Sequence, residues 1–196
     1  MATIDKINVP DFERPIVELE LALEELRNTV HLARTDEERE AKEEQIADLS
    51  KQIDRMIDQT FSSLKPWQIV QLARHPSRPL FTDHVQNIAD DWLELYGDRA
   101  YGDDPAIACG YASIDGRKVM IVGNRKGKTL AERVKCNFGC AHPEGYRKAM
   151  LKTQLAEKTG TPIITFINTP GAYPGVGAEE RGQSMVIAES IRNMTG

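Results

Sequence analysis

Residues 161–184, TPIITFINTPGAYPGVGAEERGQS, constrain this chain more than any other stretch. Thr161-Pro162 leads into an apolar run, Ile163 to Ile167, that stops at Asn168-Thr169-Pro170. A short apolar run bounded by Pro and turn residues reads as a buried strand. Behind it come Gly171, Gly175 and Gly177, then a helix from about Ala178. Glu179-Glu180 in its first turn suits the helix dipole and needs no catalytic role. A strand delivering a Gly-rich loop to a helix N-terminus aims several backbone N–H groups at one spot. Such a spot can hold an anion or a developing oxyanion.

The remaining composition excludes several classes. At 196 residues the chain is long enough for one core plus an appendage, and 40% hydrophobic with 28% charged residues is ordinary for a globular protein. A net charge of −5 argues against a general binder of nucleic acid or membrane surfaces. No apolar run is long enough to span a bilayer, and the N-terminus MATIDKINVPDFERP lacks the apolar stretch of a signal peptide. Three cysteines fit a reducing compartment, so the expected location is the cytoplasm.

Residues 1–64 read as a helical arm. Ile16, Leu19, Leu23, Leu26 and Val30 follow a coiled-coil spacing, and Ile46, Leu49, Ile53 and Met56 repeat it. Thr35 with Glu38 predicts a capping-box start for the second helix, giving an antiparallel hairpin. No catalytic residue is expected there. Residues 65–196 read as an α/β domain. Thr82 or Asp83 is expected to cap a helix running through Trp92, Leu93 and Leu95. Ala106–Ile114 and Lys118–Gly123 form a predicted hairpin about Asp115-Gly116, and Glu144–Lys158 a helix ending at Gly160. Another strand is expected after the last helix, so the domain reads as incomplete at its C-terminus.

Other candidate chemistry is weaker. Gly123-Asn-Arg-Lys-Gly127-Lys128-Thr129 imitates a P-loop but has three residues between its glycines where four are needed. Between Arg117 and Lys135 lie seven basic residues and one acid, Glu132, which suits a phosphate-bearing ligand or an acidic partner; Arg125, Lys126 and Lys128 are the candidate contacts. A solvated basic face explains the same pattern. Cys136, Cys140 and His142 lack a fourth zinc ligand and read as free thiols beside a histidine. Ser184 lacks a nucleophile elbow, and no histidine follows it, although a triad with His142 or His84 stays open.

The segments HPSRP, GDRAYGDDPAI, NFGCAHPEGYRKA and above all 161–184 closely resemble the alpha subunits of bacterial acetyl-coenzyme A carboxylase carboxyltransferase, from about Val9 to the last residue. The resemblance implies a crotonase-like fold of repeated β-β-α units. It also implies transfer of a carboxyl group from carboxybiotin on a carrier protein to acetyl-CoA, giving malonyl-CoA for fatty-acid synthesis. The implied partners are a zinc-ribbon beta subunit in an α2β2 assembly, the biotin carboxyl carrier protein and biotin carboxylase. The resemblance places zinc on the beta subunit alone and implies no covalent cofactor and no metal on this chain. Gly171, Ala172, Tyr173, Pro174, Gly175 and Gly177 match the loop beside the biotin pocket, with Tyr173 a candidate wall for the ring. The family's second Gly-rich turn, expected to supply oxyanion donors, would lie beyond Gly196, so the catalytic residues are unassigned and the chain alone is expected to be inactive. The alternative is a non-catalytic assembly module that binds the beta subunit.

Overall fold

The computed structural model describes residues 9–195, which form two compact units that divide between Arg78 and Pro79. In the first, α1 (Arg14–Val30) and α2 (Asp36–Phe61) make the expected hairpin. Ile16, Leu23 and Ile53 are buried along the seam, with Leu19, Ile46, Leu49 and Met56 against them. The pairing is antiparallel, because Phe12, before α1, meets Phe61 at the end of α2 edge-on at 6.1 Å. Thr35 Oγ1 accepts the Glu38 N–H at 3.2 Å, while the Glu38 carboxylate returns to the N–H of Arg34 rather than of Thr35. The arm as read from sequence ends at residue 64; α3 (Pro66–Ala73) and the turn to Arg78 group with it.

The second unit is built on a four-stranded sheet in the order β1 (Asp90–Glu94), β2 (Ile107–Ile114), β3 (Arg117–Asn124), β4 (Ile163–Phe166). The β2–β3 hairpin turns at Asp115 and Gly116, whose φ of 49° and 73° give the turn that matches strand twist. β4 runs parallel to β3, reached through α5 (Leu130–Lys135) and α6 (Pro143–Lys158). Hairpin and α6 make the β-β-α unit expected of the fold. α6 stops as the sequence indicates: Gly160, φ 60°, and Thr161 return their N–H groups to Glu157 and Ala156.

The sheet is covered on both faces. α4 (Phe81–Ile88) sets Phe81 and Val85 on Ala108, Ala112, Val119 and Ile121, while α6 brings Tyr146 and Ala149 to Ile107, Cys109 and Ala141 on the other face. Gly123 is the seat of Phe81: a Cβ there would stand 2.2 Å from the ring. Burial pushes the Cys109 thiol up to about 12.

Four expectations need correction. The helix placed through Trp92, Leu93 and Leu95 ends at Ile88, and residues 90–94 form β1. The chain is already extended at Ala89, φ −123° and ψ 133°, and Trp92 gains more as a strand residue, edge-on to Phe81 and over Gly110. The cap also differs, since Asp83 accepts the N–H of Leu80 from the third helical position. β4 is an edge strand among the described residues; Ile164 and Phe166 face the core, but Ile163 and Thr165 are exposed. The final helix is two, α7 (Val176–Glu180) and α8 (Gln183–Met194), broken where Gly182 turns left-handed at φ 79°.

A buried charge network ties α6 to the β1–β2 loop. Lys148, 0% exposed, donates to Asp103 Oδ1 and to the Asp104 carbonyl, both at 2.7 Å. Asp98 accepts the N–H groups of Ala100, Tyr101 and Gly102 on one oxygen and Arg147 Nε on the other at 2.7 Å. Burial pushes the Asp98 carboxyl up, but those donors outweigh it and hold it well below the usual carboxylate range. A depressed folded value means the stabilisation is complete above the unfolded value of about 3.9 and is lost as pH falls through the folded one. Asp98→Asn should therefore lower stability by on the order of 3 kcal/mol at pH 7, with the deficit narrowing as pH drops below about 4. Urea midpoints across pH test this; a deficit constant from about pH 5 to pH 2.5 would assign it to something other than the charge.

Candidate functional site

The candidate site lies where two irregular segments meet at the end of the sheet. The first, residues 137–142, links α5 to α6. Asn137, Phe138 and Gly139 occupy consecutive left-handed conformations, φ 48°, 54° and 87°. For Asn137 and Phe138 this stores strain of roughly 1–3 kcal/mol each. The second segment is the 168–175 loop after β4. Thr169 Oγ1 donates to the Gly139 carbonyl at 2.7 Å, and the Tyr173 N–H to the Ala141 carbonyl at 3.0 Å. Gln183 Nε2, at the start of α8, reaches the same Ala141 carbonyl at 2.8 Å. The helix break at Gly182 thus lets α8 return to the loop.

The glycines of the loop make room for side chains. Gly171, φ 152°, takes a conformation that favours glycine. Gly175 leaves space for the Tyr173 ring, since a Cβ there would stand 2.3 Å from it, and one at Gly177 would stand 3.2 Å from the Arg181 guanidinium. The Tyr173 ring packs on His142, tilted by 32° with centroids 4.0 Å apart. Ala172 bridges to Ala141, and Pro174 is exposed. Two amides expected to face a ligand are spent within the fold: Gly171 donates to Thr169 Oγ1 and Tyr173 to Ala141.

Beneath the loop, Glu144, 3% exposed, pairs with Arg181 at 2.5 Å. Asp104 Oδ2 accepts the His142 N–H at 2.7 Å; burial raises its carboxyl, against the pull of the Ala106 and His142 amides. His142, Glu144, Arg181 and Gln183 are the residues that sequence reasoning missed as a set. Within NFGCAHPEGYRKA the sequence singles out Cys140 and His142 for other chemistry, and the left-handed run at Asn137–Gly139 leaves no mark in hydrophobic periodicity.

The basic candidates separate. Arg125 donates to Glu94 at 2.7 Å, and Lys128 pairs with Asp83. Lys126 forms no ion pair among the described residues. Arg125 and Lys128 line one cavity of about 370 Å³ with Thr82, Gln86 and Lys135; Lys126 is not in its wall. The P-loop imitation has a structural explanation. Gly123 seats Phe81, Gly127 turns at φ 80°, and the N–H groups of Lys128 and Thr129 are bound by Glu132 at 2.8 and 3.1 Å as the cap of α5. Those amides are not available to a phosphate. Ser184 is exposed and makes no hydrogen bond to His142, whose Nδ1 faces Arg181. Cys136 is buried and Cys140 half-buried, both as free thiols.

Gly175→Ala should push the Tyr173 ring off His142 and lower stability by about 1–3 kcal/mol. The loss of the ring-current shift on the His142 protons, with a lower urea midpoint, is the expected result. Unchanged shifts would mean that the ring does not depend on this glycine.

Comparison with known proteins places these residues in context. The profile of the acetyl co-enzyme A carboxylase carboxyltransferase-like family matches residues 9–196. The acetyl-coenzyme A carboxylase carboxyl transferase subunit alpha of Halorhodospira halophila is 54% identical over 187 residues, covering 95% of this chain and 57% of that protein. Its namesake from Glaesserella parasuis is 51% identical over 185 residues, again 57% of its length. The chain thus spans about 57% of the length of these relatives. Among solved structures, the transcarboxylase 12S core with methylmalonyl-coenzyme A and methylmalonic acid bound is 25% identical over 57% of this chain and 20% of its own, with a TM-score of 0.47.

Proposed function

This chain belongs to the acetyl co-enzyme A carboxylase carboxyltransferase-like family, and from that membership we propose that it is the alpha part of a carboxyltransferase. The reaction moves a carboxyl group from carboxybiotin on a carrier protein to acetyl-CoA and yields malonyl-CoA. The 54% identity over 187 residues, a match long enough to span both segments of the candidate site, carries the reading.

The chemistry asks for positioning and charge stabilisation. The N–C bond of carboxybiotin breaks, CO2 leaves, and the electron pair stays on the ureido group, with charge on its oxygen. That ureido nitrogen then takes a proton from the acetyl methyl group, and the resulting enolate carbon attacks CO2. Both oxyanions need preorganised donors, each worth about 3–4 kcal/mol of barrier. Biotin serves as its own base, so no side-chain base is required, in keeping with a site whose carboxylates are engaged by Arg181, Lys148 and backbone amides.

On this reading the Gly171–Gly177 segment faces biotin, and Tyr173, braced by His142 and Gly175, is a rigid flat wall for the ureido ring. The acetyl-CoA side comes mainly from a zinc-bearing beta subunit in an α2β2 assembly, with the biotin carboxyl carrier protein and biotin carboxylase as further partners in the cytoplasm. Exposed Ile167, Val176, Met185 and Met194 suit a chain with a permanent protein partner. Of the three basic candidates, Lys126 has no ion pair among the described residues and is the proposed contact for a coenzyme A phosphate.

The test is biotin-dependent decarboxylation of malonyl-CoA, the reverse reaction, by the complete subunit mixed with its beta partner. Turnover that needs both chains is expected, and a well-formed complex without it would refute the proposal. In the same assay Lys126→Glu should raise the apparent KM for malonyl-CoA roughly tenfold at similar kcat. An unchanged KM removes Lys126 as a phosphate contact.

A further inference from the structure

Arg181 sits at the centre of the groups behind the 171–175 loop. It follows α7 and precedes the break at Gly182. Its guanidinium pairs with the buried carboxylate of Glu144, lies 4.5 Å over the Tyr101 ring, and brings Nη2 within 3.3 Å of His142 Nδ1. Its own carbonyl accepts from Arg147 Nη1 at 3.3 Å, and Arg147 is anchored on Asp98. Gly177 leaves the room that the guanidinium occupies. The side chain is thus held by three partners and the backbone by a fourth.

A guanidinium only donates hydrogen bonds. The nitrogen it faces on His142 must therefore carry a lone pair, which puts the imidazole proton on Nε2. The base of the same residue is held as well, because its backbone N–H lies on Asp104 Oδ2. We infer that Arg181, aimed by Glu144, is a positioning residue that fixes His142 as the Nε2–H tautomer and so sets the ring against which Tyr173 packs. The tautomer follows from this geometry alone; its consequence for biotin rests on the function proposed above. Arg181 acts through His142 and Tyr173 and is not assigned a contact with substrate.

Long-range proton–nitrogen spectra of the full chain test the inference, with the His142 signals identified by their loss in His142→Asn. The wild-type protein should show Nδ1 bare and Nε2 protonated at neutral pH. Arg181→Met should give a mixture of tautomers, whereas Arg181→Lys, which keeps a donor, should retain the wild-type pattern. A wild-type His142 protonated on Nδ1, alone or on both nitrogens, overturns the inference without recourse to any variant. So does an unchanged tautomer in a folded Arg181→Met. In the assembled enzyme Arg181→Met should raise KM for the biotinyl substrate on the order of tenfold, with a smaller change in kcat. An unchanged KM overturns the positioning role. A wild-type complex that transfers no carboxyl group counts against the proposed function and leaves the tautomer standing.

Discussion

A buried ammonium organises the second unit. Lys148 is wholly removed from water, and an uncompensated charge there would cost several kcal/mol. Asp103 and the Asp104 carbonyl supply the compensation at 2.7 Å each. The 97–106 loop and α6 must therefore close on one another before either is tolerable. Closure aligns Asp104 with the His142 amide, and Gly145 permits it, since a Cβ there would stand 2.8 Å from the Asp104 carboxylate. His142 in turn supports Tyr173. The proposed biotin-side loop thus rests on a charge pair whose two members, Asp103 and Lys148, stand 45 residues apart along the chain.

Strain and compensation meet at the site. Two non-glycine residues held left-handed, Asn137 and Phe138, persist because their turn is tied at Gly139 by Thr169 and followed at once by the anchored start of α6. Phe138 is half exposed, so its conformation is not the by-product of burying an aromatic ring. Conformational strain of this kind collects where a fold needs a segment in one place. Here that place is against the 168–175 loop.

The glycines carry a related lesson. Read from sequence, Gly123 and Gly127 imitate a nucleotide cradle, and Gly175 with Gly177 promises open amides for an anion. In the fold Gly123 accommodates Phe81, Gly127 enables a turn against Glu132, Gly175 clears the Tyr173 ring and Gly177 clears Arg181. A missing side chain leaves space, and the sequence does not say whether a ligand or a neighbouring side chain takes it.

The sequence by itself determined what depends on residues close along the chain. The α1–α2 seam follows from its heptad spacing, the β2–β3 turn from Asp115-Gly116, and the end of α6 from Gly160, because each rests on local sterics or periodic burial. The 161–184 motif located the loop and the family. Only the tertiary structure decided the rest. Trp92 lies in a strand because Gly110 and Phe81, far off in sequence, make a better seat for it than a helix does. Lys128 is spent on Asp83 and Arg125 on Glu94, while Lys126 has no such partner among the described residues. His142, Glu144, Arg181 and Tyr173 become one cluster only when α6 and the loop pack together. Charge pairing in a dry interior depends on distance in space, and distance along the chain does not report it.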